Sequence, residues 1–136
     1  MQPNFSTILI PVGVAIANWG FSPPALAASP VELMGQYAAE AAITPSTSRG
    51  EAFFAQKHGR EWSCSTCHGA PPTRDGAHAM TRKRIAPLAP AFNPEGLNDR
   101  ARADKWFKRN CGDVLGRDCT PAEKADVLAY LTGLRK

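Results

Sequence analysis

The stretch Trp62-Ser63-Cys64-Ser65-Thr66-Cys67-His68-Gly69 decides how this chain folds. It contains the spacing C-x-x-C-H, which is the attachment signature of a c-type haem. Two intervening residues allow one helical turn to present both sulfurs to the same porphyrin edge, where each forms a thioether with a vinyl group. His68 follows directly, and its imidazole can reach the iron as the proximal ligand. The stretch therefore predicts one covalently bound haem c.

Two other interpretations of the paired cysteines are weaker. A thioredoxin-like dithiol begins a helix within a β-α-β pattern, and no strand pattern precedes Cys64. A zinc site needs two more ligands at a matched spacing, and Cys111 and Cys119 lie eight positions apart. Haem attachment is therefore preferred over a non-haem disulfide or zinc module, which would be colourless when purified.

The N-terminus indicates export. Residues 1–31 carry no charged side chain, and an apolar run from Ile8 to Phe21 is followed by Ala25-Leu26-Ala27, an A-x-A cleavage pattern. We expect a signal peptide over residues 1–27, cleavage after Ala27 and a periplasmic protein. The segment lacks the usual Lys or Arg, so a misassigned start codon and an uncleaved anchor remain alternatives. Outside the cytoplasm, both haem attachment and disulfides are allowed.

Length and charge restrict the remaining chain to one small domain. The sequence has 136 residues, with 16 basic and 12 acidic side chains and a net charge of +4. We expect an N-terminal extension, partly helical, over residues 28–45 and a haem domain over residues 46–136. So small a domain has a thin core, which a covalent haem would fill. Since the net charge is low and no nucleic-acid motif is present, DNA is not expected as a partner. Contact with a membrane is expected only through a partner.

Helical patterns flank the C-x-x-C-H stretch. One short helix is predicted over Val31–Ala42, and a second is predicted to start near Ser46–Ser48 and to carry Arg49 to His58. Gly50 would let another helix approach the second one closely. Thr120-Pro121-Ala122-Glu123 is a capping box that begins a C-terminal helix ending near Thr132. A small helix ahead of C-x-x-C-H resembles the class I cytochrome c fold, in which it crosses the C-terminal helix, and Tyr130 is expected to meet it.

Between His68 and the third predicted helix lies a long irregular stretch, Gly69 to Leu97, which fits a loop wrapped around haem. Met80 lies within it, and methionine is the commonest sixth ligand of electron-carrying cytochromes c. Met80 comes only twelve residues after His68, beside Arg82-Lys83-Arg84, so packing or exposure is the preferred interpretation. His58 and His78 are weaker candidates for a second histidine ligand. The three basic residues predict a solvated loop or a docking patch for an acidic redox partner.

The third helix is predicted from Asp99, as N-cap, to Arg109. Trp106 and Phe107 would form an apolar wall with Asn110 at its lower edge. Cys111 and Cys119 follow, and in an exported protein an intramolecular disulfide is the default, although free thiols or an intermolecular bridge remain open. An asparagine in such a place is ordinarily a helix C-cap.

A more specific resemblance covers about residues 46–134. Its motifs are Lys105-Trp106-Phe107-Lys108-Arg109-Asn110-Cys111, Gly116-Arg117-Asp118-Cys119-Thr120 with Glu123-Lys124, and Ile85-Ala86-Pro87-Leu88-Ala89-Pro90. Together with C-x-x-C-H, they resemble the SHP family, named for the sphaeroides haem protein, which is an oxygen-binding class I cytochrome c. The resemblance implies an all-α fold of about four short helices wrapped around one covalent haem, with a long irregular loop after the attachment motif.

The resemblance also implies a ligand set. It places His68 on one side of the iron and Asn110 as the displaceable sixth ligand of the ferric state, and it makes Cys111–Cys119 the family disulfide. It further implies that a dihaem cytochrome c supplies electrons and that the reduced protein binds O₂ or NO. Whether the protein is a terminal oxidoreductase acting on these gases stays open. The competing hypothesis is a low-spin electron carrier with Met80 or a histidine as sixth ligand.

Overall fold

The computed structural model describes residues 28–136, and the predicted signal peptide, residues 1–27, lies outside them. Five helices occupy this part of the chain: α1 (Pro30–Ala41), α2 (Thr47–Ala55), the single turn α3 (Cys64–His68), α4 (Arg100–Leu115) and α5 (Pro121–Gly133). Two short strands, β1 (Gly76–Ala77) and β2 (Arg84–Ile85), pair antiparallel. The predominantly helical architecture that the sequence predicts is confirmed for these residues. None of the helices among residues 28–136 is long and apolar enough to cross a membrane.

Side-chain caps explain where the helices begin. Ser29 and Glu32 form a capping box at α1, and Thr120 and Glu123 form one at α5, each with proline in the first turn. Asp99 caps α4 by accepting a hydrogen bond from the backbone N–H of Arg102 at 2.7 Å. The predicted starts of α1, α4 and α5 are therefore correct to within one residue.

Two predicted helix ends are wrong. The second helix ends at Ala55 and not at His58, because Gln56 leaves the helix in an extended conformation. Helix α4 does not end at Arg109; it continues to Leu115 and ends at Gly116, which has a φ of 74°. Asn110 is consequently inside α4 and is not its C-cap. Gly112 does not break the helix, because a single internal glycine costs only about 1 kcal/mol.

Helix α5 is the centre of the core. It packs against both α1 and α2, and its residues from Ala125 to Leu131 are all buried. Leu33 and Tyr37 of α1 are fully buried in the same cluster, so residues 28–45 share the core of the segment that follows. Burying such apolar side chains stabilises the fold by about 1.5–3 kcal/mol each.

The crossing of α2 and α5 depends on Gly50, as predicted. A Cβ atom at Gly50 would lie 1.9 Å from the carbonyl oxygen of Asp126. The buried Asp126 carboxylate accepts hydrogen bonds from the backbone N–H of Ser46 at 2.7 Å and from Nε of Arg49 at 2.7 Å. Phe54 packs on Tyr130 with ring centroids 5.6 Å apart, which confirms the expected contact between the two helices.

A polar cluster joins α1, α4 and α5. The Asp104 carboxylate accepts hydrogen bonds from Tyr37, Arg100 and Lys124, each at 2.8 Å. Burial alone would raise the pKa of Asp104, but these three donors outweigh burial and lower it to about 2. Phe107 lies edge-on to Tyr37, with ring centroids 5.9 Å apart. The cluster thereby orients the face of α4 that carries Phe107.

Candidate functional site

One cavity brings together most of the residues to which the sequence assigned chemistry. Its apolar lining is Phe53, Phe54, Leu88, Phe107 and Val127. Its remaining lining residues are Cys64, His68, Asn110, Cys111 and Cys119. Four helices contribute, α2, α3, α4 and α5, so the cavity is a product of the tertiary fold and not of one local motif.

The single turn α3 holds the two free thiols. Ser63, which is buried, fixes the start of the turn: its backbone N–H donates to Oγ1 of Thr66 at 3.0 Å. Cys64 lines the cavity, and Cys67 Sγ accepts a weak hydrogen bond from the backbone N–H of Ala79 at 3.4 Å. Burial raises the pKa of Cys64 to about 11, so little thiolate forms at neutral pH. A reactive redox dithiol has the opposite property, which argues against that interpretation.

His68 ends α3, and the same cavity receives its side chain. Burial lowers the pKa of His68, which keeps the imidazole neutral and able to act as a metal ligand. Its Nδ1 atom is buried and has no hydrogen-bond partner within residues 28–136. In this part of the chain, no carbonyl of the nearby proline-rich loop accepts a hydrogen bond from the ring. A buried nitrogen without a partner is energetically unfavourable, so the protein groups of residues 28–136 do not by themselves satisfy this ring.

Asn110 shares the cavity with His68 although 42 positions separate them in the sequence. Asn93 donates to the carbonyl of Pro87, and Asn98 donates to Glu95. Of the three asparagines between residues 28 and 136, only Asn110 has a side-chain amide that no such bond engages. Its amide is thus available to a group in the cavity.

The Cys111–Cys119 disulfide is formed, as predicted. It ties α4, immediately after Asn110, to the residue before the N-cap of α5. Both cysteines line the cavity. Because their sulfurs are bonded to each other, they cannot complete a zinc site, and no cluster of three metal-ligating side chains occurs in residues 28–136.

The apolar wall predicted from Trp106 and Phe107 is correct for Phe107 and wrong for Trp106. Phe107 lines the cavity, whereas Trp106 does not and is 45% exposed. Neighbouring residues on a helix project about 100° apart, so both cannot face the same space. Arg109 lies over the Trp106 ring, with its guanidinium carbon 5.8 Å from the ring centroid.

The alternative sixth ligands lie elsewhere. Met80 is 71% exposed. Nδ1 of His78 accepts from the backbone N–H groups of Met80 and Thr81, at 3.3 and 3.2 Å. Nε2 of His58 is 2.8 Å from the carbonyl oxygen of Phe53, and the His58 and Phe53 rings contact each other at a tilt of 43°, with centroids 4.4 Å apart. The cavity lining includes none of these three candidates.

Sequence reasoning missed a hairpin in the long loop. Strands β1 and β2 enclose residues 78–83, and β1 packs closely on the attachment turn, since a Cβ at Gly76 would lie 2.0 Å from the carbonyl oxygen of Cys67. Arg84 forms an ion pair with Asp75, so only Arg82 and Lys83 of the predicted basic patch keep uncompensated charge. Strands of two residues are too short to show the alternation of polar and apolar residues by which strands are predicted. In this segment, Gly76 is the one residue that signals the close approach of another backbone.

These residues fit a covalently attached haem. The turn presents two free thiols, the cavity holds an imidazole that burial favours in its neutral form, and the walls are aromatic and aliphatic. A porphyrin is a large apolar plate that needs such walls. The amide of Asn110 adds one neutral oxygen donor to an otherwise apolar lining.

Comparisons with known proteins agree with this fit. Residues 40–131 match the family described as a domain of unknown function, DUF1924. The cytochrome c-type protein SHP of Cereibacter sphaeroides is 50% identical over 114 residues, covering 79% of this chain and 88% of that protein. Cytochrome c'' of Methylophilus methylotrophus is 40% identical over 91 residues, covering 64% and 63% of the two chains.

Solved structures match 79% of this chain. The structure of oxidised SHP, described as an oxygen-binding cytochrome c, has a TM-score of 0.73 and 46% identity, covering 79% of this chain and 98% of the other. Oxidised cytochrome c'' from Methylophilus methylotrophus has a TM-score of 0.72 and 34% identity, covering 79% and 95%. Its solution structure, which concerns the basis of haem-ligand detachment, has a TM-score of 0.69.

Proposed function

The chain belongs to the DUF1924 family and is an SHP-type cytochrome c, and we propose that it is an exported haem protein that binds small diatomic ligands when reduced. It is a monohaem c-type cytochrome with one covalent haem c. The observation that carries the proposal is the shared cavity of Cys64, His68 and Asn110. It supports covalent attachment, a proximal imidazole and a weak oxygen donor in one site.

Each side chain has a separate task. Cys64 and Cys67 would hold the haem covalently, and the His68 imidazole would bind its iron. Haem supplies an iron that changes between the ferric and ferrous states and accepts axial ligands. Phe54 and Phe107 exclude water from the cavity, which lowers the local polarity and favours neutral diatomic ligands over charged ones.

Asn110 is the residue whose side-chain oxygen would bind the ferric iron of a haem held in this cavity. An amide oxygen is a hard, neutral donor, which suits ferric iron better than the softer ferrous ion. The Asn110 oxygen would therefore hold ferrous iron less well than ferric iron, which would allow O₂, NO or CO to replace it. Once released, the amide N–H₂ can donate a hydrogen bond to a ligand in the cavity, and such distal polarity decides between binding and activation.

Optical and EPR spectra of the exported protein test this proposal. We expect a ferric form without the methionine–iron band, a high-spin ferrous form and rapid binding of CO and NO. Asn110→Ala should change the ferric spectrum, whereas Asn98→Ala and Met80→Ala should leave it unchanged, because these side chains lie outside the cavity. A low-spin ferrous haem that does not bind CO would contradict the proposal and support an electron carrier closed to gases.

Export and the redox partner belong to the same proposal. Signal cleavage after Ala27 would release a periplasmic protein, and a dihaem cytochrome c would supply its electrons. The mass of the secreted protein tests the first part: it should correspond to a chain beginning at Ala28 plus one haem. A mass that retains residues 1–27 would support an uncleaved anchor.

The reduced protein either transfers electrons to O₂ or NO, as a terminal oxidoreductase, or binds the gas reversibly.

A further inference from the structure

Helix α4 carries a row of exposed side chains, mostly basic, beside the face that lines the cavity. Arg102, Lys105, Trp106 and Arg109 recur at intervals of three and four residues, so they share one side of the helix, and all four are exposed. We refer to these four residues as the α4 cationic stripe. Lys108 is exposed beside it, and Asp113 is the carboxylate at its C-terminal end.

The positive charge of the stripe has no partner within the described chain. Six ion pairs occur in residues 28–136, and none of them includes a stripe residue. Arg102 donates only to neutral acceptors, the carbonyl of Glu95 at 3.2 Å and the amide oxygen of Asn98 at 3.4 Å. By contrast, Arg100, Arg117 and Lys124 are all paired with carboxylates. The stripe therefore projects an uncompensated positive field into solvent.

Trp106 gives this charged face an apolar centre. Its indole is 45% exposed, although most tryptophan side chains in folded domains are largely covered. The guanidinium of Arg109, 5.8 Å from the ring centroid, extends the same surface. Tryptophan and arginine are the residues that most often supply the binding energy at the centre of protein interfaces. An exposed indole between cations thus fits a protein partner better than it fits bulk solvent.

The stripe also lies next to the candidate haem site. Arg109 directly precedes Asn110, and Trp106 lies one turn before it on the same helix. Asn110 and Phe107 line the cavity from that helix. A partner seated on the stripe would therefore be separated from the cavity by roughly one helix diameter, about 10 Å. Electron transfer between proteins requires this kind of proximity.

We propose that the α4 cationic stripe is the docking surface for an acidic protein electron donor. The proposal rests on the proposed function, in which electrons arrive from another protein. The donor loses one electron, the ferric haem gains it, and no proton is needed. The hairpin residues Arg82 and Lys83 are the competing surface; they carry two cations, because Asp75 neutralises Arg84, and the hairpin itself contains no tryptophan, tyrosine or phenylalanine.

Two charge-reversal variants compare these surfaces. Lys105→Glu/Arg109→Glu changes the stripe by four charges, and Arg82→Glu/Lys83→Glu changes the hairpin by the same amount. All four side chains are exposed, so the fold should persist. The probe is flavodoxin, a strongly acidic one-electron carrier, used oxidised for calorimetric binding and as the hydroquinone for stopped-flow reduction. CO-binding spectra of both variants verify that the haem site is unchanged.

We expect the stripe variant to bind flavodoxin about tenfold or more weakly and to lose the salt dependence of its reduction rate. The hairpin variant should stay within about threefold of the native affinity. Trp106→Ala should weaken binding at high salt, where the charges are screened and the apolar contact remains.

Three outcomes would overturn the docking surface. The hairpin variant could lose as much affinity as the stripe variant, or the stripe variant could bind flavodoxin like the native protein. The stripe variant could also lose binding to phosphatidylglycerol vesicles while keeping its affinity for flavodoxin, which would assign the face to a membrane surface. In each case the gas-binding function would stand if the native protein still binds CO. Failure of the docking proposal can therefore be distinguished from failure of the proposed gas-binding function.

Discussion

Replacing Gly50 with alanine should destabilise this protein, although alanine is the better helix former. A Cβ atom at this position would lie 1.9 Å from the carbonyl oxygen of Asp126 and 2.4 Å from its carbonyl carbon. Ordinary van der Waals contact begins near 3.4 Å. Helices α2 and α5 would have to separate by roughly 1.5 Å at their crossing, because a backbone carbonyl cannot rotate away as a flexible side chain can.

Two opposing contributions determine how much Gly50→Ala changes the free energy of unfolding. Overpacking of this kind costs about 1–3 kcal/mol, and the backbone clash places Gly50→Ala at the upper end of that range. Replacing glycine with alanine inside a helix stabilises the helix by about 1 kcal/mol. The expected net loss in the free energy of unfolding is therefore about 2 kcal/mol. Separation of the helices would also stretch the hydrogen bonds from Arg49 to Asp126.

Gly35→Ala is the matched control. Gly35 lies inside α1 and is exposed, and a Cβ atom there would meet nothing within 4 Å, so only the gain in helix propensity applies. We expect it to stabilise the protein by about 0.5–1 kcal/mol. Urea denaturation of the haem-loaded protein, followed by far-ultraviolet circular dichroism, measures both variants. The reasoning would be refuted if Gly50→Ala were as stable as the native protein or matched Gly35→Ala.

Two further predictions concern the groups that hold α4. Because the pKa of Asp104 is lowered to about 2, its ion pairs stabilise the native state above the unfolded pKa of about 4 and are lost as the pH falls towards 2. Urea midpoints should therefore decline more steeply between pH 4 and 2 for the native protein than for Asp104→Asn, and parallel curves would contradict this. Cys111→Ser/Cys119→Ser should lower the free energy of unfolding by about 2.5 kcal/mol on the loop-entropy model, measured by the same urea assay; a loss below about 0.5 kcal/mol would show that the bridge does not constrain the unfolded chain.

The local features of the fold were readable in the sequence. Ser29 with Glu32 and Thr120 with Glu123 form reciprocal hydrogen bonds between residues three apart, so no tertiary information is needed to locate these helix starts. Gly50 was interpretable for a related reason, since a glycine inside an amphipathic helix is unfavourable unless another backbone approaches it. The attachment motif is equally local, because its chemistry requires a fixed spacing.

The features that could not be predicted depend on contacts between distant residues. The end of α4 was misplaced because Cys111 and Gly112 look like a break, whereas the helix is held past them by Val114, which is buried in the fold. Leu88 and Val127 also line the cavity, and although Leu88 belongs to a motif of the resemblance, nothing in either segment placed these side chains at this site. Asn110 was assigned only through the family resemblance, because periodicity cannot distinguish a capping amide from one that faces a cavity.

The position of Asn110 inside α4 determines how fast its amide can move away from a ligand in the cavity. Its backbone is held by the helix, which continues for five residues to Leu115, and the next residue is fixed by the bridge to Cys119. Only the two side-chain torsions of Asn110 are left to move the amide. Rotations of this kind occur in nanoseconds for exposed side chains, whereas moving a whole loop takes microseconds or longer. In the reduced protein, the rate of gas entry should therefore be set by the rotation of the Asn110 side chain. The amide should move in and out of the cavity many times while an electron donor is bound.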